Sequence, residues 1–168
     1  MIYSFLLLLS IFGYTFAATL SVAPAFTNRD TCLNEANTNG PIYGQLDREI
    51  RNGHFTMYGT PNGRGACGFD LATPTMSAAV SQSLFNNSVQ WPASCLPDRR
   101  AVRNDPICMN KCVEVTYNGN TLTVPINNMC GGCAIDHVDF TDAAFLWLEP
   151  AGGTVGDAQG ATIKYKRC

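Results

Sequence analysis

The chain has 168 residues, 46% of them hydrophobic and 14% charged, with 11 basic groups against 13 acidic ones. That length suits one domain, at roughly 100–200 residues each, and the composition is too apolar and too aromatic for a disordered chain. A net charge of −2 excludes a nucleic-acid binder that works by neutralising phosphates, and beyond the N-terminus no stretch is apolar enough to span a bilayer.

Residues 2–17 carry no charged side chain, residues 5–12 are apolar, and Thr15 and Ala17 are small residues at the −3 and −1 positions of a cleavage point. This pattern predicts a secretory signal peptide over 1–17. A single domain over 18–168 then remains, with an N-terminal extension over 18–52, a core from about 53 to 168, and no membrane contact after the signal is removed. Residues 18–52 contain Pro24, Pro41 and many Asn, and read as irregular structure tied down by Cys32. From His54 onward, short β-rich runs alternate with Gly, Pro and Asn turns. Strands are expected over 54–58, 112–117, 121–125 and 161–165. Asn118-Gly119 between two of them is a strong hairpin signal. Residues 141–148 are good helix formers with Thr141 at the N-cap and Asp142 in the first turn, and Pro150 and Gly152-Gly153 end the run. A second short helix is expected over 77–84. The fold class is therefore mainly β: a small barrel with one or two short helices.

Eight cysteines all follow the signal: Cys32, Cys67, Cys95, Cys108, Cys112, Cys130, Cys133 and Cys168. An even number in a secreted chain implies four disulfides, with a pairing that spacing cannot choose. Cys108, Cys112, Cys130 and Cys133 could pose as a zinc ribbon, and Cys130-Gly131-Gly132-Cys133 as a redox dithiol. Both suit a reducing compartment, so no metal and no cofactor are expected. Asn86-Asn87-Ser88 is a glycosylation sequon, or an unmodified polar loop.

Three separated segments carry a resemblance. Gly53-His54-Phe55-Thr56-Met57-Tyr58-Gly59, followed by Gly65-Ala66-Cys67-Gly68-Phe69, resembles the Thr-x-Tyr strand and Gly-Ala-Cys-Gly loop of the expansin family. Cys130-Gly131-Gly132-Cys133 and His137-Val138-Asp139 resemble its Cys-Pro-x-Cys and His-x-Asp elements. Phe140-Thr141-Asp142-Ala143-Ala144-Phe145 resembles its short helix, and Thr162-Ile163-Lys164-Tyr165 its closing strand. The resemblance implies a six-stranded double-psi β-barrel stapled by disulfides, similar to single-domain, loosenin-like proteins. Barwin-type defence proteins and family 45 endoglucanases share that barrel. Two departures stand out: Gly131 replaces the usual Pro, and Asn128 stands where many relatives carry Asp.

By this resemblance, Asp139 takes the position of the catalytic acid. Thr56, Tyr58, Asp139, His137, Asn128 and Trp91 become the candidate polysaccharide-binding residues. Thr56 and Tyr58 have the same strand parity and so are expected on one face, and Trp91 in its loop is a candidate stacking ring. Asp139 has a plainer role open to it as a helix cap, and His137 as a structural histidine. The basic run from Arg99 to Arg103 reads as solvated surface, and Trp147 as core. Glycoside hydrolysis usually needs two carboxylates. No acid adjoins Thr56 in sequence, and Asp70 reads as a turn cap. The expected function is thus binding and loosening of cell-wall polysaccharide (cellulose, xylan, chitin or peptidoglycan) by a secreted monomer, without hydrolysis. The alternatives are a polysaccharide-cleaving enzyme, either endoglucanase or lytic transglycosylase, and a barwin-like inhibitor or defence module that binds protein.

Overall fold

The computed structural model describes residues 17–59 and 62–168; residues 1–16, nearly all of the expected signal peptide, lie outside the described residues. The elements in chain order are β1 (Thr19–Ser21), α1 (Asn28–Thr31), β2 (Glu49–Met57), β3 (Ala78–Ser81), β4 (Lys111–Tyr117), β5 (Asn120–Cys130), β6 (His137–Phe140), α2 (Asp142–Leu148) and β7 (Asp157–Arg167). The strands lie in the order β1-β5-β3-β6-β2-β7-β4, and β4 pairs again with β5. That last pairing closes six strands into a barrel and leaves β1 as an added edge on β5. Two pairings within the barrel, β2 with β6 and β3 with β5, are parallel, and the other four are antiparallel.

Local chemistry accounts for the β4–β5 hairpin. Asn118 and Gly119 both have positive φ, 49° and 83°, the backbone of a two-residue turn whose twist matches the flanking strands. Alternation then sends Val113 and Val115 inward and leaves Glu114 and Thr116 outside. On β2, Phe55 is fully buried, its ring 5.1 Å from Tyr117, 5.7 Å from Phe140 and 5.2 Å from Phe145. Burying each such ring contributes about 1.5–3 kcal/mol, so Phe55 pins β2, and hence its outward neighbours His54 and Thr56.

The segment 77–84 is not the expected helix. It forms β3 and then a 3₁₀ turn over Gln82–Leu84. Alanine's helix preference amounts to less than about 1 kcal/mol per residue. All four β3 residues are buried, with β5 on one edge and β6 on the other, so ladder hydrogen bonds and core contact outweigh it. α2 forms as expected. However, the Thr141 hydroxyl donates to the Thr75 carbonyl and accepts from the Ser77 amide instead of capping the helix. Trp147 is half-buried and packs on the edge of the core rather than within it.

All eight cysteines are paired, as Cys32–Cys95, Cys67–Cys108, Cys112–Cys168 and Cys130–Cys133. The extension is more ordered than its composition implies. β1 runs parallel to β5, Thr27 and Asp30 form a reciprocal cap on α1, and Cys32 bridges to Cys95. Glu35 reaches the barrel, accepting from Lys111 Nζ at 2.9 Å and from Arg167 at 2.6 Å. The basic run is not a solvated surface either. Arg100 pairs with Asp70 at 2.9 Å and Asp98 at 2.7 Å, and Arg103 with fully buried Asp105 at 3.2 Å. Asn86 holds the extension too, its Nδ2 donating to the Asn39 carbonyl at 2.7 Å.

Candidate functional site

The strand register builds the site. Thr56 on β2 lies opposite Asp139 on β6 and, on its other side, opposite Asp157 on β7. His54 lies opposite His137 and Gln159 in the same way. Because Phe55, Val138 and Ala158 face the core, their chain neighbours face outward. The result is one polar patch of six side chains on the outer wall of the barrel: His54, Thr56, His137, Asp139, Asp157 and Gln159.

The patch is hydrogen-bonded throughout. Thr56 Oγ1 donates to Asp139 Oδ1 at 2.6 Å. A hydroxyl has one hydrogen, so at 2.8 Å His137 Nε2 must donate to Thr56 Oγ1 and carries the ring proton. The His54 and His137 rings stack with centroids 4.0 Å apart. His54 Nδ1 sits 3.2 Å from Asp157 Oδ1, and Gln159 Nε2 donates to both Asp157 oxygens, at 2.9 and 2.8 Å. Burial pushes the Asp139 carboxyl above the usual carboxylate range, partly opposed by the Thr56 hydrogen bond and by His137. Burial, and then the neighbouring His54, push His137 below the usual imidazole range. At neutral pH the site therefore holds a neutral His137 next to a half-buried Asp139 carboxyl that accepts from a hydroxyl.

Asp139 is thus a strand residue bonded to Thr56, not a helix cap, and His137 stands beside it. The remaining candidates stand outside this bonded group, although Ala79 on β3 pairs with both Asn128 and Asp139 and so sets Asn128 in the same cross-strand row. Tyr58 follows the end of β2. Its hydroxyl is buried beside Ser77, and burial raises its pKa, opposed by the Ser77 hydroxyl and reinforced by Asp139 and Asp142. Tyr58 is therefore close to Asp139, but its hydroxyl is not offered on the open face as expected, because the strand geometry that would put it there stops at Met57. Asn128 Oδ1 accepts from the Ala66 amide at 3.0 Å, holding the Gly65–Cys67 turn. A side chain at Gly65 would collide with the Asn127 carbonyl 2.6 Å away, which explains that glycine. Trp91 is 47% exposed and lies against Gly68 with the Arg103 guanidinium 6.0 Å from its ring. Sequence reasoning missed His54, Asp157 and Gln159. His54 lay within the quoted segment without being singled out, but Asp157 and Gln159 are more than 100 residues from it and become visible only through the β2–β7 register.

Asp157 corrects the expectation that no acid lies near Thr56. Asp139 and Asp157 flank Thr56 from neighbouring strands, so their Cα atoms are about two strand spacings apart, roughly 9–10 Å. Both Asp157 oxygens are occupied by Gln159, so this second acid is held as a hydrogen-bond acceptor. Among the described residues, no three or more His, Cys, Asp or Glu side chains are placed so that they could hold one metal ion.

No protein-family model matches the chain. A ligand-free expansin from Clavibacter michiganensis superposes with a TM-score of 0.50 at 19% identity, over 70% of this chain and 51% of that one. At that identity it bears on the fold alone: the chain shares the barrel fold of that expansin. A solved Streptomyces papain inhibitor superposes with a TM-score of 0.58 at 32% identity, over 73% of this chain and 97% of that one. In sequence, a papain inhibitor of Streptomyces mobaraensis is 35% identical over 152 residues, 90% of this chain and 92% of the relative. With identity at that level along nearly the whole of both chains, the protein belongs to the family of the Streptomyces papain inhibitor.

Proposed function

We propose that the protein is a secreted inhibitor of papain-like cysteine endopeptidases, a rigid binding module that needs no catalytic group. The observation that carries this reading is the end-to-end similarity to the Streptomyces papain inhibitor. The architecture is consistent with it. Four disulfides and a closed barrel give a preorganised surface, which lowers the ordering cost of binding. They also deny a protease the local unfolding it needs to cut. Disulfides and the charge-free apolar leader both suit an extracellular destination. The test is titration of papain with the purified mature protein against a fluorogenic peptide. The expected result is stoichiometric, tight inhibition with the inhibitor chain intact. Full papain activity at a large excess of the protein refutes the reading.

A second reading rests on a separate observation, the bonded Asp139–Thr56–His137 group on the outer wall. A carboxylate and a hydroxyl side by side suit sugar hydroxyls, so the patch is a candidate for binding and loosening wall polysaccharide. Asp157, locked by Gln159, is poorly placed to activate water, so no sugar release is expected. Pull-downs with cellulose, xylan, chitin and peptidoglycan test this reading. Retention on none of the four would refute it, and steady release of reducing ends abolished by Asp139→Asn would favour the enzyme alternative.

A further inference from the structure

Thr154 and Asp157 exchange backbone hydrogen bonds, Thr154 N to Asp157 O at 2.9 Å and Asp157 N to Thr154 O at 3.2 Å. Val155 and Gly156 are the central residues of this tight turn, with φ of 56° and 78°. Positive φ at both centres is what Asn-Gly supplies at little cost. A β-branched residue there is an outlier, and Val155 is the only β-branched residue with positive φ among the described residues. It is also wholly exposed, at 101%. Val155 therefore bears backbone strain while burying nothing in its own fold. Strain of this kind persists where the surroundings impose it, and it collects at functional sites.

The surroundings are firm. Gly156 N donates to the Gly152 carbonyl, Met57 N donates to the Gly156 carbonyl, and Gly153 packs against Phe145 of the core. Met57, itself 40% exposed, lies against Gly156, the turn residue that follows Val155. The molecule has other convex tips, but Asn118-Gly119 and Gly131-Gly132 present no large apolar side chain. Of the other exposed apolar residues, Leu146 lies within α2 rather than at a tip, and Trp91 leans over Arg103.

We propose that Val155, supported by Met57, is the wedge that enters the substrate cleft of a papain-like cysteine endopeptidase and fills an apolar specificity pocket. This rests on the inhibitor reading above. A substrate cleft is concave and largely apolar, so a non-covalent inhibitor must meet it with a convex apolar element held in place beforehand. The turn also explains why the wedge is not a substrate. Peptide cleavage needs an extended chain, and the two Thr154–Asp157 hydrogen bonds keep Val155 and Gly156 folded back.

The test uses Val155→Asn and Val155→Gly in the mature protein, because both residues suit positive φ and remove the apolar side chain. Inhibition constants against papain and thermal midpoints are measured for both variants, for wild type and for Trp91→Ala. The expected result is inhibition weakened roughly 10–100-fold in both Val155 variants, the range set by burial of one Val side chain, with the midpoint unchanged or raised. Wild-type inhibition retained in both overturns the wedge. Loss of inhibition in Trp91→Ala with the Val155 variants unaffected also overturns it and moves the contact to Trp91. If wild type itself leaves papain active, the inhibitor reading fails first, and the wedge with it.

Discussion

Lys111 is 1% exposed, yet it bears an ammonium group. Nζ donates to Glu35 Oε1 at 2.9 Å and to the Met109 carbonyl at 2.7 Å. Burial pushes the Lys111 pKa down, and Glu35 works against that. Burial pushes the Glu35 carboxyl up, but hydrogen bonds from Lys111 and Arg167 leave it below its usual range. Two substitutions of this pair should then differ sharply. Glu35→Ala strands the buried ammonium, and breaking a buried pair by removing one partner costs about 3–5 kcal/mol. Glu35 is itself 19% exposed in its side chain, so water enters the gap and the low end, about 3 kcal/mol, is expected. Lys111→Met removes the buried charge with a side chain of similar length, and such replacements are often neutral. The double variant should resemble Lys111→Met, which makes the pair strongly non-additive. Urea unfolding with the disulfides intact measures this, and the Glu35→Ala midpoint should fall by about 6–12 °C in a thermal scan. The sign with pH follows from the lowered Glu35 carboxyl. Its contribution is present above the unfolded value of 4.5 and is lost as pH falls through the folded value, so the Glu35→Ala deficit should shrink in acid. A Lys111→Met variant less stable than Glu35→Ala would refute the reasoning, as would a Glu35→Ala cost well under 1 kcal/mol.

Thr56→Val removes the hydrogen bond that opposes burial at Asp139, so its carboxyl should titrate higher than in wild type; carbon-detected NMR titration checks this, and an unchanged value would mean that Thr56 does not feed the carboxylate. Burial and His54 depress His137, so the unfolded chain takes up its proton first and wild-type stability should fall as pH drops below 6.5; His137→Gln should flatten that limb in pH-dependent unfolding. The Cys32–Cys95 bridge spans a sequence separation of 63 against 3 for Cys130–Cys133, so chain-entropy reasoning gives about 4 kcal/mol for the first and about 2 for the second. Paired Cys→Ser variants compared by urea unfolding should keep that order.

Where structure is set by neighbours in the chain, the sequence alone was enough. Asn118-Gly119 dictates its own turn through positive φ, the alternation in β4 from Val113 to Thr116 follows from which residues shun water, and Asp142 with the helix formers behind it makes α2. The motif order from Thr56 to Asp139 was likewise enough to expect a double-psi barrel. Tertiary structure decided the rest, because the information lies in register. Ala78-Ala79-Val80-Ser81 could serve as helix or strand, and only the two strands on either side of it choose. The cysteine pairing depends on which loops meet after the barrel closes. Asp157 and Gln159 join the site through a β2–β7 ladder whose partners lie more than 100 residues apart, so no local pattern marks them. Tyr58 leaves the open face because its strand ends one residue earlier, where parity stops predicting direction. Val155 is an unremarkable apolar residue in the sequence; its strain and full exposure arise only from the turn that the core beneath it holds in place.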